Sequence, residues 1–151
     1  MLKQGKHYAV AHLGAPGEWA KYSFNHAAFP RPVPGKTFLK DGLGLTGMEV
    51  SLNHVPAGTA IPFYHRHHAN EELYLFLSGQ GEMQVDGKSF PVTEGSAVRV
   101  APEGKRAWRN TGDCALVFVV IQARNKSLPQ GDISDGELVS EEVVWPSMAT
   151  P

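Results

Sequence analysis

The sequence has a single cysteine, Cys114, among its 151 residues. One cysteine cannot form an internal disulfide, and this scarcity is typical of a reducing compartment. Long hydrophobic runs are also missing: the longest apolar stretch covers residues 115–121, and the N-terminus has no sustained apolar segment. We therefore expect a cytoplasmic protein that does not insert into a membrane.

An excess of charge of either sign is equally absent. The formal net charge is -1 and the sequence pI is about 6.6. This balance gives no electrostatic attraction for nucleic acid, so we expect a small-molecule ligand instead. A chain of this length buries about two thirds of its unfolded surface and needs no metal to fold, so any bound metal is expected to be functional.

Convincing helical periodicity is lacking too, whereas glycine (16) and proline (11) recur along the chain. Turn residues separate short stretches of alternating polarity, which predicts an all-β sandwich or barrel. Asp86-Gly87 is placed to form the type I′ turn of a hairpin. The predicted strands cover residues 36–40, 48 up to the turn at 56–58, 72–78, the hairpin 82–90, 97–101, 107–110 and 116–122, with a last strand or short helix at 137–145.

Residues 1–35 are interpreted as an irregular N-terminal arm, followed by a single barrel domain over residues 36–151. Pro30, Pro32 and Pro34 disfavour a regular helix or central strand in the arm. The arm nevertheless carries four aromatic residues: Trp19, Tyr22, Phe24 and Phe29. We expect these side chains to close the core or to pack on a neighbouring subunit rather than to stack on a ligand.

Three of the seven histidines fall within four positions, at 65, 67 and 68. His65 and His67 are two residues apart, so on an extended backbone both rings project from one face. If the following strand pairs antiparallel with this segment, Glu72 can complete a two-histidine, one-carboxylate group. Such a group suits Fe(II), Mn(II), Zn(II) or Ni(II). The alternative is a solvated surface turn without a metal.

Two glycine-bounded blocks resemble the paired motifs of the cupin superfamily, in particular its single-domain, cupin-2-like members. The first block contains Gly58, His65, His67, Glu72 and Gly79, and the second contains Gly95, Pro102, Gly104 and Asn110. The resemblance covers roughly residues 45 to 122. It implies a double-stranded β-helix, which is a jelly-roll barrel, with His65, His67 and Glu72 as metal ligands in its mouth.

The second motif departs from the family pattern, because Ala107 stands where cupins typically place a third histidine. We expect Ala107 to face the cavity, together with Arg109, which shares its parity. Tyr74 and Phe76 are further candidates for lining the pocket. Nearby cations, including Arg106, would weaken metal binding and favour an anionic ligand.

The resemblance supports two interpretations of function and a less favoured third. The first is a metal-dependent enzyme that acts on a small organic molecule by dioxygenase-like or isomerase-like chemistry. The second is a non-catalytic binding or sensory cupin with a degenerate metal site. The third, a sugar isomerase or epimerase using side-chain acid and base, lacks a visible histidine-carboxylate pair outside the metal motif.

A homodimer is expected from the alternation of the strand that follows the histidines. If Glu72 points inward, then Leu73, Leu75 and Leu77 face outward and need a cover. The alternative is that the N-terminal arm covers them within one subunit.

Overall fold

The computed structural model describes residues 2–128 and 135–145. Its N-terminal arm contains four short strands and one 3₁₀ helix. In chain order these are β1 (Leu2–Gln4), β2 (Ala9–Ala11), the 3₁₀ helix (Pro16–Lys21), β3 (Ser23–Phe24) and β4 (Val33–Pro34). The strands pair antiparallel as β1 with β2 and β3 with β4, outside the main sheets.

The rest of the fold is an all-β jelly-roll barrel, as predicted. Its elements are β5 (Lys36–Phe38), the short helix α1 (Lys40–Leu43), β6 (Met48–Val55), β7 (Asn70–Ser78), β8 (Gln80–Val85), β9 (Lys88–Thr93), β10 (Ala97–Val100), β11 (Arg106–Asn110) and β12 (Leu116–Arg124). One antiparallel sheet has the strand order β10-β7-β12-β6-β5, and the other has the order β11-β8-β9.

The hairpin between β8 and β9 forms where the sequence predicts it. Asp86 and Gly87 have φ values of 50° and 81°, as a type I′ turn requires. The turn fixes the register, so that Val85 pairs with Lys88 and Met83 with Phe90. Met83 thereby points into the core, where it is fully buried.

The interior between the two sheets is filled by aromatic and aliphatic side chains. Phe118 on β12 lies at its centre, with ring centroids 5.1 Å from Phe76, 5.7 Å from Trp108 and 6.1 Å from Tyr74. Phe76 and Tyr74 are 2% and 1% exposed. Both residues, which we predicted to line a pocket, belong to the core cluster around Phe118, and the Tyr74 hydroxyl also reaches Glu72.

The arm packs on the outside of the barrel. Trp19, in the 3₁₀ helix, is 6% exposed and contacts Leu52 of β6 and Val117 of β12. Tyr22 joins this cluster and donates its hydroxyl to the carbonyl of Leu13 at 2.8 Å. These two arm aromatics therefore bury apolar surface against the outer face of the five-stranded sheet of their own subunit.

A row of phenylalanines carries the arm across to the segment before the histidines. Phe24 lies 4.6 Å from Phe38 of β5 and 6.4 Å from Phe29, and Phe29 lies 5.7 Å from Phe63, all between ring centroids. The row connects the β5 edge of one sheet with residues 60–65, which run beside β11 of the other. The arm thus bridges the two sheets at this side of the barrel.

The predicted strand or helix at 137–145 is absent, since the described residues 135–145 contain neither. Leu138, Val144 and Trp145 are at least 81% exposed, so the described residues do not bury the apolar side chains of this stretch. No helix in the described part of the chain is long and apolar enough to cross a bilayer.

Candidate metal centre

The histidine segment pairs with β11. It does not pair with β7, the strand that the sequence had suggested as its partner. His65 exchanges two backbone hydrogen bonds with Arg106, of 3.2 and 3.0 Å, and the His67 amide donates to the Pro102 carbonyl at 3.0 Å. The two histidines therefore belong to the side of the three-stranded sheet. Glu72 reaches them from β7 in the other sheet, so the site spans the barrel interior.

His65, His67 and Glu72 converge there. His67 Nε2 lies 2.9 Å from Glu72 Oε1, and His65 Nε2 lies 3.6 Å from Glu72 Oε2. One ligand atom from each residue lies within 4.8 Å of the other two. Glu72 is 5% exposed, and both imidazoles are half-buried. These three residues could hold a metal ion.

Glu72 has two further partners on its Oε2 atom. The Tyr74 hydroxyl donates to it at 2.5 Å and Arg106 Nε at 2.9 Å. Burial raises the pKa of the Glu72 carboxyl, but His65, Tyr74, Arg106 and His67 together outweigh that effect and lower the pKa from 4.5 to about 2. The carboxylate is therefore ionised at neutral pH, as a metal ligand must be.

Arg106 occupies the interior position that was expected for Ala107. Arg106 and Asn110 are 0% and 3% exposed, and Trp108 between them packs on the core. Ala107 and Arg109 face the other way and line a surface groove, where Arg109 Nε donates to Glu82 at 2.7 Å. The expected register was therefore shifted by one residue, which moves every side chain to the opposite face.

The sequence contained a signal for the correct register. Trp108 is the one aromatic residue of β11, and placing it inward also places Arg106 and Asn110 inward. Our prediction instead counted positions from Gly104 in the second motif, which placed Ala107 and Arg109 on the inward face. Asn110 confirms the inward face, because its amide donates to the carbonyls of Val55 and Cys114 at 2.9 and 2.7 Å.

The donor set fits a divalent ion of the Fe, Mn, Zn or Ni type, with two imidazole nitrogens and one carboxylate oxygen. Glu72 Oε1 lies next to His67 Nε2, while Oε2 is bound by Arg106 and Tyr74 and lies 3.6 Å from His65 Nε2. Two features weaken the fit. The guanidinium next to the carboxylate opposes binding of a metal cation. His65 Nδ1 is buried, and no hydrogen-bond partner among residues 2–128 and 135–145 orients the ring.

Sequence reasoning missed polar groups on β5 and β6 that also face the interior. Lys36 Nζ donates to Asn53 Oδ1 at 2.7 Å and lies 3.5 Å from Ser51 Oγ. Burial lowers the pKa of Lys36 from 10.5 to about 8, and the carboxylates of Glu72 and Glu49 partly offset this effect. The alternation of Glu49, Ser51 and Asn53 with apolar residues was the available signal.

Known proteins confirm the family. Residues 51–122 match the family model of the cupin domain. A cupin protein from Bacteroides fragilis is 41% identical with a TM-score of 0.66, over 69% of this chain and 88% of that chain. The jelly-roll barrel and the paired motifs thus define the class, and this chain belongs to the cupin superfamily.

Two other proteins are similar to a smaller share of this chain. A putative sugar phosphate isomerase from Acidithiobacillus ferrooxidans is 30% identical with a TM-score of 0.54, over 59% of this chain and 58% of that chain. An uncharacterized protein from Methanocaldococcus jannaschii is 32% identical over 62 residues, or 41% of this chain. The chain spans about half the length of that curated relative, 49%.

Proposed function

We propose that this protein binds a divalent metal ion through His65, His67 and Glu72 and acts on a small organic molecule at that ion. The observation that carries the proposal is the convergence of two imidazoles from one side of the barrel on an ionised carboxylate from the other. Three protein ligands leave positions on the ion for a substrate. A bound divalent ion would polarise a substrate oxygen.

The surrounding residues prepare the carboxylate rather than react. Tyr74 donates to Glu72, and burial together with the charge of Glu72 raises the pKa of the Tyr74 hydroxyl far above its ordinary value. Tyr74 therefore stays a hydrogen-bond donor and is not available as a base. Arg106 fixes the second oxygen of Glu72 and is itself held by the carbonyl of Gly104 at 2.8 Å.

The reaction class that we propose is dioxygenase-like or isomerase-like. The 30% identity to a putative sugar phosphate isomerase supports an isomerase, although the chain covers 58% of that protein. We further propose that the protein is a cytoplasmic homodimer whose ligand is a small molecule and not a nucleic acid.

A second candidate function is non-catalytic binding or sensing of a small molecule by a weakly metallated barrel. The contact between Arg106 Nε and Glu72 Oε2 favours it. Since the guanidinium already compensates the charge of Glu72, the protein does not require a metal to stabilise this buried carboxylate.

Metal titration of the tag-free protein separates the two candidates. With Zn(II) or Mn(II) and a competing chelator, we expect one ion per chain, and we expect His67→Ala to weaken binding at least about tenfold. His68→Ala is the matched control, because His68 is exposed one residue away and outside the ligand group. Binding that is equal in the His67 and His68 variants would contradict the proposed ligands. A wild-type chain that binds a small molecule but no metal would favour the second candidate.

A further inference from the structure

Lys36 lies on the inner face of the barrel. On β5 it pairs with Asn53 of β6, and Phe38 pairs with Ser51. Asn53 and Ser51 are 4% and 3% exposed. Lys36 Nζ lies 4.8 Å from the centroid of the Phe38 ring, on which the arm residue Phe24 packs. The ammonium is therefore enclosed by strand and arm residues.

The partners of this ammonium are neutral. Asn53 Oδ1 accepts at 2.7 Å, and the Asn53 amide is turned this way because its Nδ2 donates to the carbonyl and hydroxyl of Ser51 at 3.2 and 3.1 Å. No carboxylate lies within 4.0 Å of Lys36 among residues 2–128 and 135–145. Lys36 is half-buried, and desolvation of a cation that has no counter-ion is costly for a folded protein.

The nearby carboxylates are already engaged. Glu72 is bound by Arg106, Tyr74 and His67. Glu49 Oε1 accepts the backbone amides of Lys40 and Val50 at 2.9 and 3.0 Å. The combined positive charge of Lys36, Arg106 and a bound divalent ion would exceed the negative charge of Glu72 in the barrel interior. An anion supplied by a ligand would correct this imbalance.

Arg106 provides an independent sign of the same imbalance. Its side chain is 0% exposed, and its Nη2 atom has no hydrogen-bond partner in the described part of the protein. A buried guanidinium group normally has all of its donors satisfied. The barrel interior therefore contains two cationic side chains with unused capacity for an anion.

We propose that Lys36 is the residue that binds an anionic group, a carboxylate or a phosphate, of the small molecule at the metal centre. The inference deepens the proposed function and rests on it for the position of the other end of the ligand. Lys36 then acts in binding and specificity, and it contributes no ligand to the metal.

The test measures anion binding and metal binding separately, by calorimetry on metal-loaded protein. The probes are malonate, oxalate and inorganic phosphate. For at least one probe we expect Lys36→Gln, which keeps a donor for Asn53, and Lys36→Met to weaken binding at least about tenfold while metal affinity stays within about threefold. Lys40→Met, at an exposed lysine of α1, is the matched control and should change neither affinity.

The wild type should also bind the anion more weakly as the pH rises through about 8, because Lys36 loses its charge there. The Glu72 carboxyl, whose pKa is lowered to about 2, stays ionised over this range and does not account for such a change. This pH dependence should be absent from Lys36→Gln. Anion affinity that is unchanged in folded Lys36→Gln, or a wild type that binds none of the probes, would overturn the inference. Lys36-dependent anion binding by a protein that binds no metal would support the inference and contradict the proposed function.

Discussion

At the residue scale, Arg106 limits how the Glu72 carboxylate can bind a metal ion. Its guanidinium is bound to Oε2 of the carboxylate, while Oε1 lies 2.9 Å from His67 Nε2. One carboxylate is thus shared between a protein cation and the proposed metal ion. Electrostatic repulsion between these two cations inside the barrel lowers metal affinity.

We predict that Arg106→His binds a divalent ion at least about tenfold more tightly than the wild type, by chelator competition. The substitution removes a competing charge and adds an imidazole on the inward face of β11. Ala107→His is the matched control: it adds the same ring on the opposite face, so metal affinity should stay unchanged. If Ala107→His bound the metal more tightly than the wild type and Arg106→His did not, this result would contradict the register of β11.

The Arg106 substitution also carries a folding cost that must be checked. Removing one partner of a buried ion pair costs about 3–5 kcal/mol, since the other charge remains buried. Arg106 also donates to the Gly104 carbonyl, which would lose this partner. In thermal unfolding without metal, both Arg106→His and Arg106→Gln should be less stable than the wild type. Addition of metal should restore stability to Arg106→His.

At the scale of single elements, the 3₁₀ helix of the arm attaches through Trp19. We predict that Trp19→Ala lowers the free energy of unfolding by about 3–5 kcal/mol, since it empties the space between Leu52 and Val117. Trp145→Ala, at a side chain that is 83% exposed, should change it by less than about 0.5 kcal/mol. Urea denaturation of both variants gives the comparison, and equal effects would show that the arm does not stabilise the barrel.

The elements that could be predicted are those with local signals. Asp86-Gly87 marked its hairpin, and β7 was predicted at residues 72–78 within its actual span, Asn70–Ser78. These elements depend on turn geometry and on period-two alternation, which the local sequence encodes. The segment 137–145 also shows an apolar pattern, but none of the other described residues covers it.

The candidate site was predicted only in part, for a physical reason. His65, His67 and Glu72 belong to one sequence block, so their spacing was sufficient to group them. Arg106 and Lys36 reach the same interior from β11 and β5, and their positions depend on strand pairing between distant segments. A charged side chain is also expected at the surface by default, so Lys36 was not assigned to the barrel interior, and Arg106 was expected only near the metal site.

At the scale of the whole molecule, the outer face of the five-stranded sheet is covered unevenly. The arm packs over Leu52 and Val117, whereas Leu73 and Leu77 on β7 are 36% and 39% exposed. Ile121 of β12 pairs with Leu73 and extends this apolar strip. The arm therefore covers only part of the face, and a second copy of the chain is the occupant that we expect for the rest.

We predict a dimeric mass in light scattering and a monomeric mass for the double variant Leu73→Glu, Leu77→Glu. The two introduced glutamates would have to bury their charges in the dimer interface, which is unfavourable. Leu128→Glu, at a residue that is 83% exposed, is the control and should remain dimeric. A monomeric wild type at about 100 μM, where an interface of standard size would be formed, would remove the prediction.

Anomalous diffraction from crystals grown with Zn(II) or Mn(II) would locate a metal ion held by His65, His67 and Glu72. We predict one strong peak inside the barrel, about 2.0–2.2 Å from Nε2 of both histidines and from a carboxylate oxygen of Glu72. No peak at that position in metal-saturated crystals, with Arg106 still bound to Glu72, would contradict this prediction.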